Sequence, residues 1–126
     1  MKDLRYGIEI EMTGLSRGKA AETLAGFFGT RAEHTGGSYD AYAVRDAQDR
    51  VWKLVSDGSI QTQKKVRGQT VHADSTYSVE LVSPVCVYED IETIQEIVRA
   101  LRRNSALVND SCGIHVHVGA EKFDAQ

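Results

Sequence analysis

"LRYGIEIEMT", Leu4 to Thr13, alternates without a break. Leu4, Tyr6, Ile8, Ile10 and Met12 fall on one face of an extended chain, and Arg5, Gly7, Glu9, Glu11 and Thr13 on the other. Successive side chains of a β-strand point to opposite sides, so period two over ten residues predicts a strand buried on one face only. The apolar face then needs cover, and the sequence offers two helices. From Ser16 to Phe28, with Ser16 as N-cap and Gly29 as stop, Ala20, Ala21, Leu24, Phe27 and Phe28 recur at helical spacing. Between Glu89 and Arg103 the stripe Ile91, Ile94, Ile97, Val98 and Leu101 is stronger. Glu89, Asp90 and Glu92 stand at its start and Arg99, Arg102 and Arg103 at its end, as the helix dipole favours.

Further strands follow the same logic. "YDAYAV" and "RVWKLV" read as a hairpin across the polar "RDAQD", and "SDGS" ends that ribbon in a tight turn. Residues 60–75 are polar and without clear period, which predicts a loop or a long mobile hairpin. In "YSVELVSP", Tyr77, Val79 and Leu81 alternate with Ser78, Glu80 and Val82 until Pro84 closes the run. "SCGIHVHVG", Ser111 to Gly119, places Ile114, Val116 and Val118 opposite His115 and His117. Alternating strands with two amphipathic helices predict an α+β fold, a mainly antiparallel sheet with both helices packed on one face. At 126 residues the chain suits a single domain, residues 1–126.

The totals exclude several classes of function. A formal charge of −3 leaves no basic footprint for nucleic acid or for an anionic membrane. No apolar run approaches a membrane span, and "MKDLRYGIEI" lacks the apolar core of a secretory signal, so a cytoplasmic protein is expected. Cys86 and Cys112 are too few for a disulfide framework and read as reduced thiols, Cys112 as a small buried one. His34 and His72 read as surface residues, and Lys64, Lys65 and Arg67 as a solvated loop. No Gly-rich phosphate loop is present.

The face opposite the helices carries the chemistry. On three strands the residues opposite the apolar set are ionisable: Glu9 and Glu11, then Glu80, then His115 and His117. Period two puts each pair on one face, about 7 Å apart along its strand. "EIE" alone reads as the solvated face of an edge strand, and Glu80 alone says little. If the strands neighbour one another, three carboxylates and two imidazoles share one surface, and clustered carboxylates repel unless a cation sits among them. Oxygen ligands favour magnesium or manganese, and imidazoles shift the balance toward manganese or zinc.

Taken together, "YGIEIEMTGLSR", "YDAYAVRDAQDRVWKLVSDGSI", "SVELVSP" and "SCGIHVHVG" resemble the amidoligase family, a branch of the carboxylate–amine ligase superfamily that includes glutamine synthetase and glutamate–cysteine ligase. The resemblance runs in order over essentially the whole chain. It implies a glutamine-synthetase-like catalytic half-domain that forms the N-terminal portion of a longer enzyme. The implied chemistry is ATP-dependent joining of a small-molecule or peptide carboxylate to an amine through an acyl phosphate, with Mg2+ or Mn2+ and ATP as cofactors. By the same resemblance Glu9, Glu11 and Glu80 are implied metal ligands, and of His115 and His117 one is implied as a metal ligand and the other as a contact to nucleotide phosphate; His115 is taken for the metal and His117 for the phosphate. Asp57 and Ser59 of the "DGS" turn are implied to border the substrate as catalytic residues. Two alternatives stand beside this reading: a zinc-dependent hydrolase using His115, His117 and a glutamate, and a non-catalytic metal- or nucleotide-binding module.

Overall fold

The computed structural model describes residues 4–119. Strand β1 (Tyr6–Met12) is followed by helix α1 (Arg17–Phe28), then strands β2 (Ala32–Gly36), β3 (Ala41–Arg45), β4 (Val51–Val55), β5 (Gln63–Val66), β6 (Gln69–His72) and β7 (Val79–Val82). Helix α2 (Ile91–Arg103) and strand β8 (Ile114–Val118) complete the described chain. Six strands form one sheet in the order β2-β3-β4-β7-β1-β8, and β5 and β6 form a separate two-stranded ribbon. Every pairing is antiparallel. The expected α+β architecture with two helices is therefore what the chain adopts.

Both helices pack over one face of the sheet. Along β1, Tyr6, Ile10 and Met12 are buried, and they meet Trp52 and Leu54 of β4, Val79 and Leu81 of β7, and Leu24 of α1 in a single core. Helix α1 comes close because it presents Ala20, Ala21 and Ala25. Its Gly18 lies where an added Cβ would stand 3.2 Å from the Tyr42 hydroxyl oxygen. The predicted caps are in place: the Ser16 side chain accepts from the Lys19 amide at 3.1 Å, and Gly29 takes the left-handed conformation at φ +72°. Helix α2 buries Ile94, Ile97, Ala100 and Leu101. Each large aliphatic side chain removed from water there contributes roughly 1.5–3 kcal/mol.

A polar staple fixes the start of α2 to the β3–β4 hairpin. Arg50 donates to both oxygens of Asp90, at 2.9 and 3.0 Å, and its Nε donates to Asp46 at 2.9 Å. Asp46 also accepts from the Trp52 indole at 2.9 Å and from the Gln48 and Arg50 amides inside the turn. At Asp90 burial pushes the carboxyl up, but the Arg50 fork outweighs it and holds the group below its usual range.

One element departs from the sequence reading, and one settles an alternative that it leaves open. Residues 32–36, which show no apolar alternation, form the edge strand β2, with a bulge between His34 and Gly36. Residues 63–72 form an ordered hairpin whose turn residues Arg67 and Gly68 both have positive φ, 53° and 81°. The base of this hairpin is anchored by the fully buried Thr13, whose hydroxyl donates to the Tyr77 carbonyl at 2.8 Å, lies 3.1 Å from the Gln63 carbonyl, and accepts from the Gln63 amide. At the other edge of the main sheet, Ile114, Val116 and Val118 lie opposite the imidazoles and are each more than half exposed. Among the described residues no helix is long and apolar enough to cross a membrane.

Candidate functional site

Strand register decides which ionisable groups meet. Glu11 pairs directly with Glu80 across β1 and β7, and Glu9 pairs with His115 across β1 and β8, with Gly7 opposite His117. Because Ile10, Met12, Val79 and Leu81 point into the core, Glu9, Glu11, Glu80, His115 and His117 all rise from the face that the helices leave open. Parity alone puts them on one side. Register makes them neighbours.

Within this face the groups divide into two sets. Glu11, Glu80 and Asp57 offer oxygens that lie within 4.8 Å of one another. His117 Nε2 stands 3.4 Å from Glu9 Oε1, and His115 Nε2 stands 3.8 Å from Glu11 Oε2. Asp57 reaches the cluster from the loop after β4. Val55 pairs with Glu80, and two residues further along the same parity brings Asp57 over the same row. Its amide donates to the Ser78 hydroxyl at 3.2 Å, and its Oδ1 accepts from the Ser59 amide and hydroxyl at 2.9 and 2.7 Å. Ser59 therefore acts on Asp57, fixing its carboxylate, while Gly58 makes the turn between them.

The electrostatics match the crowding. Burial pushes the Glu80 carboxyl up, and repulsion from Glu9, Asp57 and Glu11 pushes it further, to about 7 against an ordinary 4.5, with His115 pulling weakly the other way. Glu11 is also raised, first by burial and then by sharing a hydrogen bond with Asp57. At Asp57 burial again pushes up, but the two Ser59 donors and the shared bond to Glu11 prevail and hold it low. Three carboxylates that repel one another, presented as a compact oxygen set, form a donor group suited to a hard divalent cation. Among the described residues this compact set is made of carboxylates, and His115 Nε2 lies at its edge, 3.8 Å from Glu11 Oε2.

The structure thus brings Asp57, read from sequence as a residue bordering substrate, among the carboxylates, and it places Glu9 beside His117. Parity in "VWKLV" also carries a residue that the sequence reading passed over. With Trp52 and Leu54 buried, Lys53 must rise from the open face, where it pairs with Val82 and lies diagonal to Glu80. Cys112, expected to be buried, is half-buried at the loop before β8, whereas Cys86 is fully buried, and both are free thiols. His72 is exposed as expected. His34 is exposed too, but it is engaged, stacked on Tyr42 and 2.7 Å from Asp40. A cavity of about 610 Å³ borders Glu11 from the far side. Its walls include Ile10, Met12, Val98 and Leu101, so it opens on the helix side of the sheet and holds none of the other carboxylates.

Residues 2–126 match a family model described as a putative amidoligase enzyme. No curated protein and no solved structure matches the chain.

Proposed function

Because the chain belongs to the amidoligase family, we propose that it is an ATP- and divalent-metal-dependent carboxylate–amine ligase that forms an amide or peptide bond. The supporting observation is the meeting of Glu11, Asp57 and Glu80 on an open sheet face, with their oxygens within 4.8 Å of one another. Magnesium or manganese held there would neutralise charge on a phosphoryl group in transfer, and ATP would supply that group to activate the carboxylate toward an amine.

The chain's own groups divide the remaining work. Glu11, Asp57 and Glu80 would hold the cation, and Glu9 and His115 stand beside this set. Ser59 keeps Asp57 in one rotamer, so the donor set is arranged before the ion arrives. Since Glu80 and Glu11 bind protons more firmly than ordinary glutamates, cation binding would release a proton to solvent. His117, next to Glu9, is assigned to nucleotide phosphate. Zinc hydrolysis is the weaker reading because its sites are built mainly on nitrogen and sulfur donors, and the compact set among the described residues is carboxylate.

Calorimetric titration with MnCl2 tests the proposal, paired with thermal melts of the parent and of Glu11→Gln. The parent should bind manganese with proton release and melt higher, and Glu11→Gln should lose both responses. A folded parent that responds to neither manganese nor magnesium would refute it.

A further inference from the structure

The ligase reading leaves one buried cation without a task. Arg17, the first residue of α1, is only 4% exposed. A guanidinium taken out of water is costly unless its donors find partners, and each nitrogen of Arg17 has one. Nε donates to the Asp40 carbonyl at 3.2 Å and Nη2 to the Asp40 carboxylate at 2.7 Å. Nη1 donates to the carbonyls of Ser75 and Ser78 at 2.8 and 2.7 Å and approaches the Ser78 hydroxyl oxygen at 3.3 Å. Asp40 itself has a φ of +45°, uncommon for a residue other than Gly, and its second carboxylate oxygen lies 2.7 Å from His34 Nε2.

A buried arginine of this kind is first of all a clamp between chain segments. What it clamps is the informative part. The loop that carries Asp57 is tied down at two points: the Ser56 amide donates to the Tyr39 carbonyl at 3.0 Å, and the Asp57 amide donates to the Ser78 hydroxyl at 3.2 Å. Tyr39 precedes Asp40, and Ser78 is bonded to Arg17 directly. Both anchors therefore belong to segments that one guanidinium holds. Glu11 and Glu80 are fixed by the register of β1 and β7, whereas Asp57 stands on a loop and faces two like charges that repel it.

Resting on the ligase reading, we propose that Arg17 is a positioning residue for the cation site. By bonding Asp40 and Ser78 at once it fixes both anchors of the loop 56–59, and so keeps the Asp57 carboxylate beside Glu11 and Glu80 before the ion arrives.

Calorimetric titration with MnCl2, well below the melting temperature, tests this on variants that are also melted in EDTA. Arg17→Lys keeps the charge but loses the planar fork that spans Asp40 and Ser78. Ser78→Ala removes the hydroxyl between Arg17 and Asp57. Each should weaken manganese about tenfold, as loss of a group that orients a metal ligand does. Since both act on Asp57 through the same hydroxyl, the double variant should bind little worse than either one. Asp40→Asn, at a partly exposed position, should weaken manganese in the same direction and stands in if Arg17→Lys fails to fold. Arg50→Ala lowers stability without touching the loop 56–59 and should bind manganese as the parent does. Manganese affinity equal to the parent's in folded Ser78→Ala and Asp40→Asn would overturn the inference and leave the ligase reading standing. So would a loss on Arg50→Ala that matches theirs, because affinity would then follow stability alone. Losses that multiply in the double variant would overturn it too, since Arg17 and Ser78 would then act separately. A folded parent that binds neither manganese nor magnesium overturns the inference and the ligase reading together.

Discussion

Replacing Glu80 with Gln should make the metal-free protein more stable at neutral pH, the reverse of what most substitutions at a half-buried polar position do. The carboxyl titrates near 7 in the folded chain against an ordinary 4.5, first because it is buried and then because Glu9, Asp57 and Glu11 repel its charge. The folded state therefore binds this proton more tightly than the unfolded state. Between those two pH values stability falls as pH rises, and above about 7 the full penalty is present. Each pH unit of that interval is worth about 1.4 kcal/mol, which sets a ceiling of about 3 kcal/mol. Partial exposure and screening reduce the expected gain of Glu80→Gln to about 1–2 kcal/mol, or several degrees in melting temperature for a chain of this size. Thermal melts in EDTA at pH 5 and pH 8 measure it. The variant should melt higher than the parent at pH 8 and level with it at pH 5. Manganese at pH 8 should invert the order, because only the parent keeps all three carboxylates. A variant that melts lower than the parent at pH 8 without metal would refute the reasoning, as would a difference that ignores pH.

Other expectations test the frame that holds the site. Arg50→Ala leaves Asp90 and Asp46 without their shared cation and should cost about 3 kcal/mol by chemical denaturation. Since the Arg50 fork holds Asp90 below its usual range, this stabilisation is present above the unfolded carboxylate range and is lost as pH falls through the folded one. Parent and Arg50→Ala should therefore converge in acid. Gly14→Ala should destabilise by 2 kcal/mol or more (an order-of-magnitude figure), because φ is +92° and the new Cβ would lie 2.3 Å from the Ser105 carbonyl oxygen. Thr13→Val removes the hydroxyl that ties the β5–β6 hairpin to β1 and to Tyr77. It should cost about 1–3 kcal/mol and open residues 60–73 to proteolysis before the rest of the domain, as mass spectrometry of the first cleavage products would show.

Where burial is one-sided, the sequence was readable. β1, β4, β7 and α2 each carry an apolar set on one face, and periodicity found them because the core demands it. β2 was invisible for the opposite reason. Its residues Ala32–Gly36 are all partly or fully exposed, and they are extended because β3 offers an edge to pair with, a tertiary cause with no local trace. The hairpin at 63–72 is ambiguous in sequence on the same ground: its stability comes from the Arg67–Gly68 turn and from Thr13, some 50 residues away. The site follows this division. Glu9, Glu11, Glu80, His115 and His117 were legible together because parity against buried partners is a local property. The closeness of Glu11 to Glu80 depends on register, which is not local. Asp57 lies on a loop, so nothing in its own neighbourhood announced that two serines, Ser59 and Ser78, would aim it at two glutamates from different strands. Lys53 was readable in principle. Its parity opposite Trp52 was as plain as that of Glu9 opposite Ile10, but a single lysine on a strand acquires meaning only once the strand is known to lie beside β7. A charged residue on an open sheet face thus becomes evidence of function through its neighbours across the strands. That is why Asp57, one loop away from Glu80, is the position at which substitution would most sharply test whether the open face works as a metal site.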